Sequence, residues 1–200
     1  MIRHTNIIRH CALAAALALP LFTTTPASAQ QGGFGGLYAG LEGGFDRFKA
    51  AGNSEMAIYF GANLGYRVQE RSGLVYGGQF RLGQSTGKFT TVRITPTDTI
   101  TTQFDAGAQY GFDGIVGQAF GRRRGLLGFI TLGYTWNNVT RRETSLLTGL
   151  TSKTSGNGGG FRFGGGGEFH LRNGLNFRAT ANFSDTASDA QFLGGLFMRF

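Results

Sequence analysis

Along most of the chain, apolar and polar side chains alternate with a period of two residues. In segment 57–69, for example, Ile58 and Phe60 share one parity, and Asn63 and Arg67 share the other. Successive side chains of a β-strand point to opposite faces, so this period predicts strands with one apolar and one polar face. Eight segments show the pattern: 37–48, 57–69, 74–84, 103–120, 126–137, 160–171, 175–183 and 191–200.

Two folds could contain strands with one apolar face, and they differ in where that face points. A soluble sandwich would also alternate, but its apolar faces would form a shared core, and this remains the alternative. Each segment has the roughly 9–11 residues that a tilted strand needs to cross a bilayer. We therefore predict an all-β fold, a transmembrane eight-stranded antiparallel up-and-down β-barrel. A ten-stranded count stays open if 113–120, where Ile115 and Gln118 break the parity, is a separate element.

Ten charged residues fall on the predicted inner face. An eight-stranded barrel has an interior just wide enough for side chains to fill, and glycines on the polar face leave room for long ones. The chain contains 35 glycines, far above the usual share of about 7%. The predicted lumen network is Glu42, Asp46, Arg67, Arg81, Asp105, Asp113, Arg162, Glu168, Arg178 and Arg199. Five arginines and five carboxylates balance in number, which predicts pairing across the lumen.

The first 29 residues have the pattern of a secretory signal peptide. Arg3 and Arg9 precede an apolar stretch at 11–22, which is too short to span a bilayer as a helix. Small residues at 26–29 predict cleavage after Ala29, which leaves 30–200 as the barrel domain. A membrane anchor is the alternative reading. A lipoprotein is weaker still, because the only cysteine, Cys11, lies at the start of the apolar run.

The connections between the predicted strands divide into two kinds. Segments 70–73, 121–125 and 172–174 are short, whereas 47–56, 85–102 and 138–159 are long and polar, with 184–188 of intermediate length. Short turns alternating with longer loops are typical of the periplasmic and extracellular ends of outer-membrane barrels. Turn residues at 95–98 and 148–149 predict that the second and third long loops extend as hairpins.

Three stretches carry a resemblance to a known family. The sequences GLYAGLEGGF at 36–45, LVYGGQF at 74–80, and GEFHLRNGLNFR at 167–178 with GGLFMRF at 194–200 resemble OmpA-like, opacity-type small outer-membrane β-barrels, the porin-family proteins of Gram-negative alphaproteobacteria. The resemblance covers almost all of the mature chain and implies a location in the cell outer membrane. Phe200 resembles the signal that the barrel-insertion machinery reads on a closing strand.

No catalytic, cofactor-binding or metal-ligating residues are predicted. Some small barrels modify outer-membrane lipids, and His170 is the only histidine after the predicted cleavage site. A lipid A deacylase would resemble His-x-Ser, whereas His170 is followed by Leu171 and Arg172. Glu168 shares a face with His170, but strand alternation alone places polar residues two apart.

The formal net charge of +8 suggests anionic partners. No basic stripe or recognition motif accompanies it, so nucleic acid is not expected. The run Arg122–Arg124 lies at a predicted turn, where it is either solvated or in contact with anionic headgroups. Basic residues of the predicted outer loops would contact lipopolysaccharide phosphates; they are Lys49, Lys88, Arg93, Arg141, Arg142 and Lys153.

Three functions are compatible with this sequence. The favoured one is a structural or surface-interaction role, in which paired charges plug the lumen of a monomer and the loops contact host or extracellular ligands. The alternative is a narrow porin-like channel for small solutes. A lipid-modifying enzyme is a third and weaker reading.

Overall fold

The computed structural model describes residues 33–50, 52–121, 125–171 and 173–200. The predicted signal peptide and Arg122–Arg124 lie outside these residues. The strands are β1 Gly36–Ala50, β2 Asn53–Gln69, β3 Leu74–Ser85, β4 Lys88–Ile94, β5 Thr99–Phe120, β6 Leu126–Ser145, β7 Thr151–His170, β8 Leu175–Ser184 and β9 Ser188–Arg199. No helix in these ranges is long and apolar enough to span a membrane.

The strands form one antiparallel sheet that closes on itself. Each strand pairs with its neighbours in the order β3-β2-β1-β9-β8-β7-β6-β5-β4, and β3 also pairs with β5. β3 and β4 lie end to end along β5, because Gln84 pairs with Ala108 and Lys88 pairs with Asp105. The nine strands therefore fill eight strand positions around the wall, because β3 and β4 share one position. This confirms the predicted up-and-down barrel. Segment 113–120 is continuous within β5, so the ten-stranded alternative is wrong.

Apolar and polar side chains alternate along the strands, with the apolar side chains facing outward as predicted. Apolar side chains face outward, with Leu132 67% and Phe163 59% exposed, while Arg67 and Glu168 on the inner face are 1% and 0% exposed. In a bilayer the outward surface meets lipid, so its exposure to the surroundings of the barrel is favourable. The prediction of apolar side chains outside and charged side chains inside is confirmed at these positions.

The short turns lie at one end of the barrel, which is the periplasmic end in proteins of this architecture. Residues 70–73 and 121–125 connect strands there, as predicted, and the third turn, predicted at 172–174, spans 171–174. Gly73, Gly121 and Gly174 adopt positive φ angles. At the opposite, extracellular end, most of the predicted loops prove to be strand. The expected loop 47–56 contains only residues 51–52 between β1 and β2, because the ladder continues to Ala50 and Asn53.

Two hairpins project furthest from the extracellular end. β4 and β5 are joined at 95–98, and β6 and β7 at 146–150, which confirms the prediction that these loops extend as hairpins. β8 pairs with β7 only from Arg162 onward, so residues 151–159 are paired with β6 alone. The projecting part is a four-stranded sheet of β4, β5, β6 and β7.

A bulge in β5 changes which side chains face the interior. The register against β6 shifts between Ala106 and Gln109. Asp105 then pairs with Thr140 on the outward parity of β6, and Phe104 stacks on Phe89 with ring centroids 5.0 Å apart. Strict alternation along segment 103–120 predicts Asp105 inside and its neighbour Phe104 outside. Because an extra residue in a strand flips the alternation, both placements are wrong.

Candidate functional site

Eight of the ten predicted lumen charges are buried in the barrel: Glu42, Asp46, Arg67, Arg81, Asp113, Arg162, Glu168 and Arg178. The remaining two lie elsewhere. Asp105 lies 3.8 Å from Nε of Arg142 on the projecting sheet, and Arg199 is half-buried at the periplasmic end beside Gly36 and Gly174. The buried charges occupy successive levels along the barrel axis.

The level nearest the periplasm is organised around Glu168. The guanidinium of Arg67 donates to both carboxylate oxygens, at 2.8 and 2.9 Å. Nε of Arg178 donates to Oε2 at 2.8 Å. We call Arg67, Glu168 and Arg178 the periplasmic ionic cluster. Because β2 and β7 lie on opposite sides of the ring, the Arg67–Glu168 pair crosses the lumen.

Aromatic rings pack against both arginines of this cluster. The Cζ of Arg67 lies 4.1 Å from the Tyr38 ring centroid, and the Cζ of Arg178 lies 3.8 Å from that of Phe197. The Tyr38 hydroxyl donates to Oε1 of Gln79 at 3.0 Å, and Arg178 donates to the same oxygen at 2.9 Å. Cation–π contacts and carboxylate hydrogen bonds together hold each guanidinium away from water.

Two further ion pairs lie at the middle of the barrel. Arg162 of β7 contacts Asp113 of β5, with Nη2 2.6 Å and Nε 3.2 Å from Oδ1. Arg81 of β3 donates to Oε1 of Glu42 on β1. We call these the central ion pairs. Gln79 Nε2 donates to Asp113 at 3.0 Å, so hydrogen bonds connect this level to the periplasmic ionic cluster.

Asp46 is buried near the extracellular end with neutral partners. Gln109 Nε2 donates to its Oδ2 at 3.1 Å, and the Ser188 hydroxyl donates to the same oxygen at 2.9 Å. Gln191 in turn donates to Oε1 of Gln109 at 2.8 Å. None of the ion pairs found in the described ranges includes Asp46. The predicted pairing of every lumen carboxylate with an arginine therefore does not extend to this level.

An apolar cluster fills the periplasmic end of the interior, and sequence reasoning missed it. Its members are Phe34, Tyr38, Val75, Ile115, Ala119, Leu127, Phe129 and Phe197. Ile115 interrupts the parity of segment 103–120, and Phe197 falls on the same parity as Gln191 and Arg199 in the last segment. Both are inward residues of regular strands. Such exceptions share the periplasmic ends of their strands, and that shared position is the signal that could have identified the cluster.

Several inward glycines make room for aromatic rings. A Cβ at Gly65 would lie 2.5 Å from Cζ of Tyr38, and one at Gly61 would lie 3.0 Å from Cζ of Tyr59. A Cβ at Gly40 would lie 2.6 Å from Cγ of Phe197. The prediction that this space is taken by long charged side chains is wrong at these three glycines. The rings occupy it because they must lie against the arginines in the same narrow lumen.

His170 lies at the periplasmic rim and is half-buried. Its Nδ1 is 2.6 Å from Oδ1 of Asn176, and Nδ2 of Asn176 donates to Glu168 at 2.7 Å. This arrangement links the histidine to the periplasmic ionic cluster through an amide. Within the described ranges, no group of three or more His, Cys, Asp or Glu side chains could hold a metal ion.

Comparison with known proteins identifies the family. The family model for the outer membrane protein beta-barrel domain matches residues 14–197. No curated protein matches the chain significantly in sequence. Among solved structures, the attachment invasion locus protein Ail of Yersinia pestis is 15% identical with a TM-score of 0.52, over 84% of this chain and 100% of that chain.

Two other solved barrels resemble the chain. Neisserial surface protein A is 13% identical, with a TM-score of 0.47, over 82% of this chain and 97% of that chain. The N-terminal β-barrel domain of Pseudomonas aeruginosa OprF is 13% identical, with a TM-score of 0.47, over 82% of this chain and 95% of that chain. The family match covers most of the chain, and the likeness to Ail extends to the fold. The chain belongs to the outer membrane protein beta-barrel family and is a protein of the Gram-negative outer membrane.

Proposed function

We propose that the protein is a closed scaffold that presents its extracellular hairpins as a contact surface and does not conduct solutes. The observation that carries this proposal is the set of contacts across the lumen. Arg67 reaches from β2 to Glu168 on β7, and Gln79 of β3 binds Arg178 of β8. Both contacts therefore join strands on opposite sides of the barrel. Below them, the apolar cluster fills the periplasmic end of the barrel.

The energetics of these contacts favour a static plug. Separating a buried arginine from its carboxylate without a replacement costs about 3–5 kcal/mol, because a charge remains in a low-dielectric interior. A solute passing along the axis would have to break the Arg67–Glu168 pair, which crosses the lumen, and to pass between the central ion pairs and through the apolar cluster. Thermal motion opens such a sequence of pairs only rarely, so the intact barrel should not hold a steady open state.

A narrow channel is the second candidate, and one observation favours it. Several buried polar atoms of the described interior have no hydrogen-bond partner within the protein, including both side-chain polar atoms of Asn63 and Oδ1 of Asp46. Buried polar groups of this kind usually bind water. Water beside Asp46 would make the extracellular part of the lumen a hydrated vestibule. In the channel hypothesis, this vestibule continues past the central ion pairs.

Planar-bilayer conductance separates the two candidates. The wild-type barrel should show no steady current, whereas Arg67→Ala combined with Arg162→Ala should produce small openings, because the pair that crosses the lumen and a central ion pair are both lost. Arg47→Ala is the matched control. Its bidentate pair with Asp189, with N–O distances of 2.7 and 2.8 Å, lies at the exposed outer rim, and the variant should behave as wild type. A steady wild-type current of porin size would overturn the plug.

The remaining expectations belong to the same proposal. The barrel would act without catalysis, cofactor or metal, as a monomer among outer-membrane lipids and lipopolysaccharide. Phe200 would serve as the barrel-insertion signal: its ring is exposed, and its backbone N–H donates to Leu37 at 2.9 Å, which places the ring beside the outward face of β1. Basic residues of the projecting sheet would contact anionic groups.

A further inference from the structure

Four aliphatic side chains at the ends of the projecting hairpins are unusually exposed. Ile94, Leu146, Leu147 and Leu150 are 80%, 77%, 74% and 72% exposed, which exceeds every other large apolar side chain in the described ranges, including the lipid-facing Leu41 at 70%. We call these four residues the apolar tip. Side chains on a hairpin end in water are normally polar, so such a concentration indicates a contact that covers it.

The two hairpin ends form one unit. The backbone N–H of Leu146 donates to the carbonyl of Thr99 at 3.0 Å. The Asp98 carboxylate accepts from the Ser145 hydroxyl at 2.5 Å and from the Leu147 backbone N–H at 3.0 Å. The connection between β4 and β5 is therefore joined to the connection between β6 and β7, and the apolar tip is presented by a braced pair of turns.

The bilayer that holds the barrel is out of reach of the apolar tip. Tyr110, Tyr134 and Trp136 pack together, with centroids 5.5 and 4.8 Å from that of Trp136, in the manner of the aromatic girdle at an outer interface. Ten residues separate Trp136 from Leu146 along β6. At about 3.3 Å per residue and a tilt of about 40°, this length raises the apolar tip roughly 25 Å above the girdle.

Basic residues outnumber acidic ones on the projecting sheet that carries the apolar tip. Segments 88–105 and 138–159 contain Lys88, Arg93, Arg141, Arg142 and Lys153 against Asp98, Asp105 and Glu143, so basic side chains outnumber acidic ones by two. Arg141 and Arg142 pair with Glu143 and Asp105, whereas Arg93 and Lys153 lie within three residues of Ile94 and Leu150. Aliphatic side chains next to such basic residues are complementary to an anionic bilayer, which takes the apolar groups below its headgroups and attracts the cations. We propose that the apolar tip inserts into the anionic lipid bilayer of an apposed membrane.

The shape and composition of the apolar tip favour lipid over a protein partner. The four residues cap a projection, whereas a protein partner would have to supply a matching pocket. Protein interfaces draw most of their binding energy from Trp, Tyr and Arg, with Leu under-represented. The apolar tip contains only Leu and Ile. The inference deepens the proposed function, since it names the partner of the contact surface.

Vesicle flotation tests the inference. Barrels reconstituted in phosphatidylcholine nanodiscs would be mixed with vesicles of phosphatidylcholine containing 30% phosphatidylserine, or of phosphatidylcholine alone. Wild type should float with the anionic vesicles and much less with the neutral ones. Combined Leu146→Ser, Leu147→Ser and Leu150→Ser should lower binding at least about tenfold, because three buried aliphatic groups are lost. Thr186→Ser with Ala187→Ser, at the short connection between β8 and β9, is the matched control.

Each result decides the matter. Equal flotation of wild type and the triple variant, or absence of wild-type flotation, would overturn the inference; in either case the conductance result still decides the proposed closed barrel. Binding to whole cells that is abolished by protease treatment of those cells, together with no vesicle binding, would overturn it in favour of a protein partner. Heat-modifiable gel mobility of every variant verifies that the barrel has folded.

Discussion

The two halves of β7 obey different rules although they belong to one strand. From Gly160 to His170 buried and exposed side chains alternate, whereas residues 151–159 are exposed on both faces. The half from Gly160 to His170 separates lipid from a packed lumen, whereas residues 151–159 have water on both sides. Alternation is therefore a consequence of two different surroundings. Where the surroundings are the same, the strand is held by its backbone ladder with β6 and by the contacts at its tip.

The largest expected difference concerns the carboxylates of the barrel and of the projecting sheet. Glu168→Ala would leave Arg67 and Arg178 buried without their shared counterion, and should lower the free energy of unfolding by about 3–5 kcal/mol. Glu143→Ala is the matched control: Glu143 pairs with Arg141 on the projecting sheet, where both side chains are largely exposed, and should cost less than about 1 kcal/mol. Urea unfolding in lipid vesicles measures both.

Equal losses of unfolding free energy in the two variants would contradict the distinction between the barrel and the projecting sheet. A double variant, Glu168→Ala with Arg67→Ala, sharpens the test. Removing one of the two stranded cations should recover part of the lost stability, since one fewer charge remains buried without a partner. Further loss instead of recovery would indicate that the packing of Arg67 against Tyr38 matters more than its charge.

The fold follows from the sequence where the two sides of the wall differ. The eight strands and the outward direction of the apolar face were predictable, because lipid and lumen impose opposite preferences on successive residues. Outside the membrane this contrast vanishes. Segments 47–56 and 138–159 read as loops because they are polar, but polarity there reflects water on both faces and does not exclude a strand. Thr is a good strand former, and segment 138–159 is rich in it.

Two features of the interior were not predictable from alternation. The bulge at Ala106 and Gln109 lies among small residues that suit either face, so the register is decided by the partner strand β6. The apolar cluster appears in the sequence as isolated violations of parity, such as Ile115 and Phe197. Only the closure of the barrel shows that these residues meet at one end, where they contact each other and cover the arginines.

The second expected difference concerns added volume. Gly65→Ala would place a methyl group 2.5 Å from the Tyr38 ring and 2.7 Å from the carbonyl of Gly78, so the ring that packs on Arg67 must move. Overpacking of this kind costs about 1–3 kcal/mol. At Gly158, in the projecting half of β7, no heavy atom lies within 4 Å of a built Cβ.

Gly158→Ala should therefore be neutral or stabilising by up to about 1 kcal/mol, because alanine loses less backbone entropy in a strand. Urea unfolding should show changes in the free energy of unfolding of opposite sign for Gly65→Ala and Gly158→Ala. A stabilising effect at Gly65 would mean that the lumen is looser than its contacts indicate. It would also favour the channel hypothesis over the plug.

The smallest expected effect is local to the hairpin ends and depends on pH. The hydroxyl of Ser145, followed by the backbone N–H of Leu147, holds the pKa of the Asp98 carboxyl below its ordinary value. A lowered pKa means that the folded tip favours the carboxylate, so its stabilising effect is complete above about pH 4 and is lost as the pH falls through the lower folded pKa. The amide NMR signals of Thr99 and Leu147, which donate to Asp98 at 2.7 and 3.0 Å, should report this titration.

In Asp98→Asn the same amides should show no such titration, while the barrel unfolds at the same urea concentration as wild type. That separation is expected because the tip is braced by its own hydrogen bonds and shares no side-chain contact with the periplasmic ionic cluster in the described ranges. A midpoint at or above pH 4 would show that the carboxylate does not join the two turns in solution. A change in the unfolding midpoint of the barrel would show that the projecting sheet and the barrel are energetically coupled after all.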